Sequence, residues 1–185
     1  MARPRRDAEG PSAQERIIGA FWDMLAEGPY SGIKVAALAR RAHVSVNTLY
    51  YHFDNIGQVA ESALAENSDP ALSAAIVAGD FRAAEGLRSR DGGRFLRVLL
   101  FARSGSVELT GMLARTLRAH WMDAAGVGEG DLTDADRRDL AFVFGGVVAM
   151  LGDASLGDAP QAGDFLSRPL GAGVAQTMRQ LAQGR

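Results

Sequence analysis

The chain has 185 residues, 47% hydrophobic and 23% charged, the balance of a soluble globular protein with one domain of ordinary size or two small ones. It contains no cysteine, which excludes disulfides and cysteine-based metal sites and suits a cytoplasmic protein. The net charge of −2 excludes a broad basic field for nucleic acid, and the small asymmetry present has residues 1–56 at +1, from seven basic against six acidic side chains.

Met1 is followed by Ala-Arg-Pro-Arg-Arg with no apolar run behind it, so no secretory signal is expected. Residues 1–11 are charged and carry Pro4 and Pro11, which predicts a disordered basic arm. Arg3, Arg5 and Arg6 fit either a minor-groove contact or a solvated tail. Ser12 and Glu15 make the S-x-x-E capping box that opens a first helix, with Ile17, Ile18, Phe21, Trp22 and Leu25 on its inner face. Gly28-Pro29 ends it.

The stretch Ile33 to Phe53 predicts two short helices joined by a tight turn. Val35, Leu38, Ala39 and Ala42 recur at helical spacing and give the first an apolar face, with Arg40 and Arg41 on the solvated side. Ala42-His43-Val44 is too short for a strand and too irregular for a continuing helix. Ser45 can cap a second helix, whose Leu49 and Phe53 point back at the first. The positions around them are polar and aromatic. Two helices crossing through such a turn fit a helix-turn-helix whose second helix enters the DNA major groove. Ser45, Asn47 and Thr48 can reach base edges, Val46 a thymine methyl or a sugar, and Tyr50, Tyr51 and His52 phosphate oxygens. Lys34, where the first helix of the pair opens without a good cap, joins this DNA-binding set.

ALARRAHVS followed by TLYYHF resembles the DNA-binding domain of the tetracycline-repressor (TetR) family of bacterial regulators, and Gln14 to Tyr30 is similar to that family's first helix and following turn. The likeness covers about the first third of the chain. It implies an all-α protein that binds double-stranded DNA through the residues just named. The chain departs from the family pattern at three places: His43 stands where glycine is usual, Ile33-Lys34 where a capping threonine or serine is usual, and Asp54-Asn55-Ile56 where a phosphate-binding lysine is common. His43 in the turn fits a left-handed backbone or a DNA contact.

Beyond Phe53, Asp54-Asn55 caps a helix to about Glu66 with Val59, Ala63 and Leu64 inward, and Asp69-Pro70 starts another. Further helices are expected at 80–90, 94–103, 107–125, from Thr133-Asp136 to about Leu151, and from Phe165 to Gln183, entered or interrupted at Pro169. Asp91-Gly92-Gly93, Ser104-Gly105-Ser106 and 152–163 are read as breaks. The glycine-rich run 126–131 lacks the spacing of a phosphate-binding loop. The longest apolar stretch, Leu140 to Leu151, is a buried helix and not a membrane span. No segment alternates with period two. The fold class is all-α with about nine helices: an arm at 1–11, a three-helix helix-turn-helix domain at 12–56 and a helical effector-binding and dimerisation domain at 57–185.

In the family the middle helices enclose an effector site, which here points to Phe95, Leu99, Met112, Leu117, His120 and Trp121. The same residues also read as plain core. Leu140 to Met150 is apolar around nearly the whole helix and needs cover on two sides. Phe142, Gly145, Gly146 and Met150, with Val174, Met178 and Leu181 of the last helix, fit a four-helix homodimer interface, which the resemblance also implies. Two ordinary core helices of a monomer are the other possibility. No cofactor is expected. Three histidines without ligand spacing give no metal site, and Ser104 and Ser106 lack a histidine base, so no enzyme activity is expected. The function expected is a ligand-responsive regulator, a repressor released from a palindromic operator by a small apolar effector. The alternative is a helical small-molecule-binding protein or enzyme with a weakened DNA-binding head.

Overall fold

A computed structural model describes residues 10–71, 92–153, 155 and 168–183. It divides into two compact units between Ala63 and Leu64. Among the described residues there are eight α-helices and no strand.

The head begins with α1 (Ala13–Glu27), opened by the capping box: Ser12 Oγ accepts the Glu15 N–H at 3.2 Å, and Glu15 Oε2 accepts the Ser12 N–H at 2.6 Å. Its buried face is Ile17, Ile18, Ala20, Phe21, Trp22 and Leu25. The helix stops at Gly28, but in an extended conformation that any residue adopts (φ −168°), so the stop owes more to Pro29 than to a left-handed glycine. A 3-10 turn, Tyr30–Gly32, leads to α2 (Val35–Arg41). Lys34 holds the cap position of α2 and makes no side-chain capping bond, as the lack of Thr or Ser there implies.

The turn that follows has the Schellman pattern, with Val44 N–H donating to Ala39 O at 3.0 Å and His43 N–H to Arg40 O at 3.2 Å. His43 therefore sits left-handed, at φ +53°. A histidine holds the position at a cost of about 1 kcal/mol that glycine would avoid. Helix α3 (Val46–His52) follows, and α1, α2 and α3 pack on one another around Leu38, Ala39, Leu49 and Phe53. Helix α4 (Ile56–Asn67) starts at Asn55, whose Oδ1 accepts the Gln58 N–H at 3.0 Å, while Gln58 Oε1 accepts the Asp54 N–H at 2.5 Å. It runs unbroken past the division between the two units.

In the body, α5 (Gly92–Arg103) begins two residues before the expected start. Gly92 and Gly93 are therefore helical rather than a break. Gly105 at φ +66° and the Ser106 cap turn the chain into α6 (Val107–Ala125), which ends in a second Schellman pattern, this time with Gly126 at φ +66°. After a 3-10 turn, Glu129–Asp131, Thr133 and Asp136 form the box that opens α7 (Asp134–Gly152). Helix α8 (Pro169–Ala182) is entered at Pro169, the first helical position, where a missing N–H does no harm.

Helices α5, α6 and α7 pack pairwise. Trp121, Met122, Leu132, Leu140, Phe144 and Met178 form one core cluster and draw in α8. Helix α7 buries Leu140, Phe144 and Val148 at four-residue spacing, so its apolar circumference is covered on one side only. At its C-terminus Gly152 comes so close to α5 that a Cβ there would stand 2.8 Å from Ala102 O. The expected helix at 80–90, most of the arm, most of the 152–163 loop and Phe165 lie outside the described residues.

Candidate nucleic-acid interface

Helix α3 has two sides with opposite commitments. Leu49 is 0% exposed and Phe53 is also buried, which fixes the helix against α1 and α2. Opposite them Tyr50 is 52% and Tyr51 85% exposed, and Val46 and Asn47 are exposed too. At about 100° per residue these four share about 140° of arc. Tyr51 meets the half-buried His52 edge to face, 5.0 Å between ring centroids, which limits the tyrosine's swing and leaves its hydroxyl outward.

Two of the expected base readers are already engaged. Ser45 Oγ accepts the Thr48 N–H at 2.9 Å and lies 2.8 Å from Thr48 Oγ1, so both hydroxyls serve the cap. Sequence spacing announces the cap but not the second bond. Asn47 and Val46 are left as the short side chains able to meet base edges, flanked by the two tyrosines. Lys34 is exposed.

The solvated side of α2 is also differentiated. Arg41 donates to both carboxylate oxygens of Glu27, at 2.7 and 2.5 Å, and lies 3.9 Å from Asp23. The hydrogen bond from Arg41 holds the Glu27 carboxyl below its ordinary range, and the same bond raises the Arg41 guanidinium. This clamp between α1 and α2 joins residues 14 apart and has no signature in the sequence.

A short helix anchored on its inner face by two apolar side chains and presenting Asn, Tyr and Tyr outward, after a tight turn from a crossing helix, has the form of a helix-turn-helix. The model of bacterial regulatory proteins of the tetR family matches residues 17–63, which span α1 to most of α4. Over residues 17–63 the chain is thus similar to the DNA-binding domain of those regulators, which supports a DNA-binding transcriptional regulator. No curated protein and no solved structure matches the chain significantly.

The body residues named from sequence differ in burial. Trp121 is 1% exposed and its ring packs 6.4 Å from Phe144, with the half-buried Leu117 beside the same cluster. Leu99 and Met112 are buried outside that cluster, and Phe95 and His120 are half-buried. Burial lowers the pKa of His120, against the pull of Asp123 and Asp69. Of the expected interface residues, Phe142 is 70% exposed, Gly145 and Gly146 are exposed and Met150 is half-buried. Met178 is buried in its own unit's core, and Val174 and Leu181 pack against that core from its edge. Asn67, buried at the end of α4, accepts a hydrogen bond from Arg97 at 2.9 Å, a link the sequence does not announce. Ser104 and Ser106 are used in the α5–α6 turn. Among the described residues no group of acidic or histidine side chains is arranged to hold a metal, and no helix is long and apolar enough to cross a membrane.

Proposed function

We propose that this regulator binds a palindromic DNA operator as a homodimer and leaves it when a small apolar effector enters the body, so that its resting action is repression in the cytoplasm. The observation that carries the reading is the outward face of α3, where Asn47, Tyr50 and Tyr51 stand in solvent on a helix held rigidly from behind. A head that only had to fold would gain nothing from two tyrosines so placed.

In this reading residues 12–56 read DNA with the arm at 1–11 beside them, and residues 57–185 bind effector and dimerise. Support for the dimer comes from α7: Phe142 projects outward, and a Cβ added at Gly145 or Gly146 would meet nothing within 4 Å. A second copy can approach closely along such a face, and in this reading Val174 and Leu181 of α8 complete the interface. Met178 then acts from behind, as core. Two-fold symmetry would present two α3 helices to half-sites about one helical turn apart, 34–36 Å. The effector releases DNA only by preferring the non-reading conformation, and a full reversal takes about 5.5 kcal/mol of preference.

Selection of duplexes from a random-sequence pool by the purified full chain tests the proposal. The expected product is an inverted repeat, bound by a species of twice the chain mass in light scattering. Enrichment without any consensus, or a monomer at binding concentrations, would sink it.

A further inference from the structure

The described part of the head holds four cations, Arg16, Lys34, Arg40 and Arg41, and their commitments differ. Arg16 is spent on backbone: its Nε donates to Ala42 O at 3.3 Å and its Nη1 to Pro11 O at 3.2 Å. Arg41 is spent on the carboxylates of Glu27 and Asp23, which lie one turn apart on α1. The side chains of Lys34 and Arg40 make no hydrogen bond or ion pair with the described residues. Arg40 and Arg41 are neighbours in sequence but about 100° apart around α2. Arg41 is tied to α1, and Arg40 stands exposed. In this motif the first helix of the pair is the one that crosses the DNA backbone.

From this juxtaposition we propose that Arg40, together with Lys34, is the phosphate-contacting cation of the structured head, and that Glu27 withholds Arg41 from DNA. The assignment rests on α3 being the DNA reader and extends the interface to a residue outside that helix. Arg40 carries a fixed fork of N–H donors that no described residue of the head uses, suited to phosphate oxygens. Arg41 already fills that fork with a carboxylate. Turning it to DNA would leave Glu27 and Asp23 as uncompensated negative charges on α1.

The test is binding of the full chain to random-sequence duplexes of about 30 base pairs across about 50 to 200 mM KCl. Each phosphate contact adds about 0.9 to the slope of log affinity against log salt, about 3.5-fold over that range. Arg40→Gln should flatten the slope by about one contact per bound protomer. Arg41→Gln should leave it unchanged, and Glu27→Gln should steepen it as the freed Arg41 joins the interface. Equal flattening by Arg41→Gln and Arg40→Gln, or no effect of Glu27→Gln, would overturn the assignment. Helicity by circular dichroism accompanies each variant. If Arg41→Gln unfolds the head, Glu27→Gln decides, because it keeps the cation and removes only its restraint. A slope indifferent to Arg40 overturns this assignment alone. Absence of binding by the unmodified chain overturns the DNA-reading role of α3 as well.

Discussion

Head and body are both assemblies of amphipathic helices, yet they spend their side chains differently. In the head, the features that set the fold are local: a capping box at Ser12, a Schellman turn at His43, a serine cap at Ser45 and a corner in which Gln58 bonds to Asn55 and Asp54, each within five residues of its partner. The side chains left over, Asn47, Tyr50 and Tyr51, then face outward by default. In the body, the caps are equally local, but position depends on residues far apart, as when Met178 meets Trp121 and Phe144 or Gly152 meets Ala102. A site made by exclusion from a local framework can be read from sequence. A site made by long-range packing cannot.

The largest effects should come from cutting into each core. Trp121→Ala removes a ring that is packed on Phe144 and should cost the body about 3–5 kcal/mol, and Leu49→Ala should cost the head about 2–5 kcal/mol. Urea unfolding followed by circular dichroism measures both. A loss under about 1 kcal/mol for Trp121→Ala would mean that the indole lines a space rather than fills a core. With the larger loss, a missing effector response in that variant would report instability. The half-buried Phe95 and His120 are then better places to look for effector contact.

The same distinction governs what could be foreseen. The all-α class, helix α3 after its turn, its inward pair Leu49 and Phe53, and nearly every helix start follow from caps and spacing within a few residues. The all-round apolar pattern of α7 did not disclose that Leu140, Phe144 and Val148 face the unit's own core while Phe142 stays outside, because periodicity cannot say which of two apolar faces a neighbour will cover. Nor did it disclose that Met178 belongs to the core, or that Ser45 and Thr48 spend their hydroxyls on each other. Arg40 and Arg41 look equivalent as letters and differ through Glu27 and Asp23, residues on another helix.

Intermediate effects separate the two kinds of site further. Gly152→Ala forces a methyl against the Ala102 carbonyl, a backbone atom that cannot rotate away, and should destabilise the body by about 1–3 kcal/mol. Phe142→Ala, on the exposed face of the same helix, should change unfolding of the monomer by less than about 0.5 kcal/mol and weaken self-association in sedimentation. In the head, Tyr50→Ala or Tyr51→Ala should lower DNA affinity across sequences with little change in melting. Asn47→Ala should relax base preference at one position of each half-site by about 1–3 kcal/mol. Ser45→Ala should act instead on stability, at about 0.5–2 kcal/mol for a lost cap. A base-preference change from Ser45→Ala with unaltered melting would contradict the division of labour within α3.

The smallest expected effect is on acid stability, and it separates the two units by where it begins. In the head, Glu15 lies below its ordinary 4.5 through the Ser12 backbone N–H and then its hydroxyl, and Glu27 through the hydrogen bond from Arg41. Folding depresses both, so their contribution is complete above about pH 4.5 and is lost as pH falls through the folded values. In the body, burial lowers His120 from 6.5, with Asp123 and Asp69 opposing. Just below pH 6.5 the unfolded chain therefore binds more protons at His120 than the folded one does, so stability rises with pH there. That contribution is complete above pH 6.5 and fades as pH falls toward the folded value. Asp153, lowered by its bonds to Ser155, acts only below 3.8. The body should thus begin to soften in mild acid while the head holds until the carboxylates titrate. The two tryptophans report on the two units separately, Trp22 in the head and Trp121 in the body, and Trp22→Phe leaves the body's as sole emitter. Fluorescence melts of that variant between about pH 7.5 and 5 should fall in midpoint, and His120→Gln should flatten the trend. A body melt indifferent to pH across that window, or one that His120→Gln leaves unchanged, would show that burial of the imidazole is relieved by the fold and carries no such penalty.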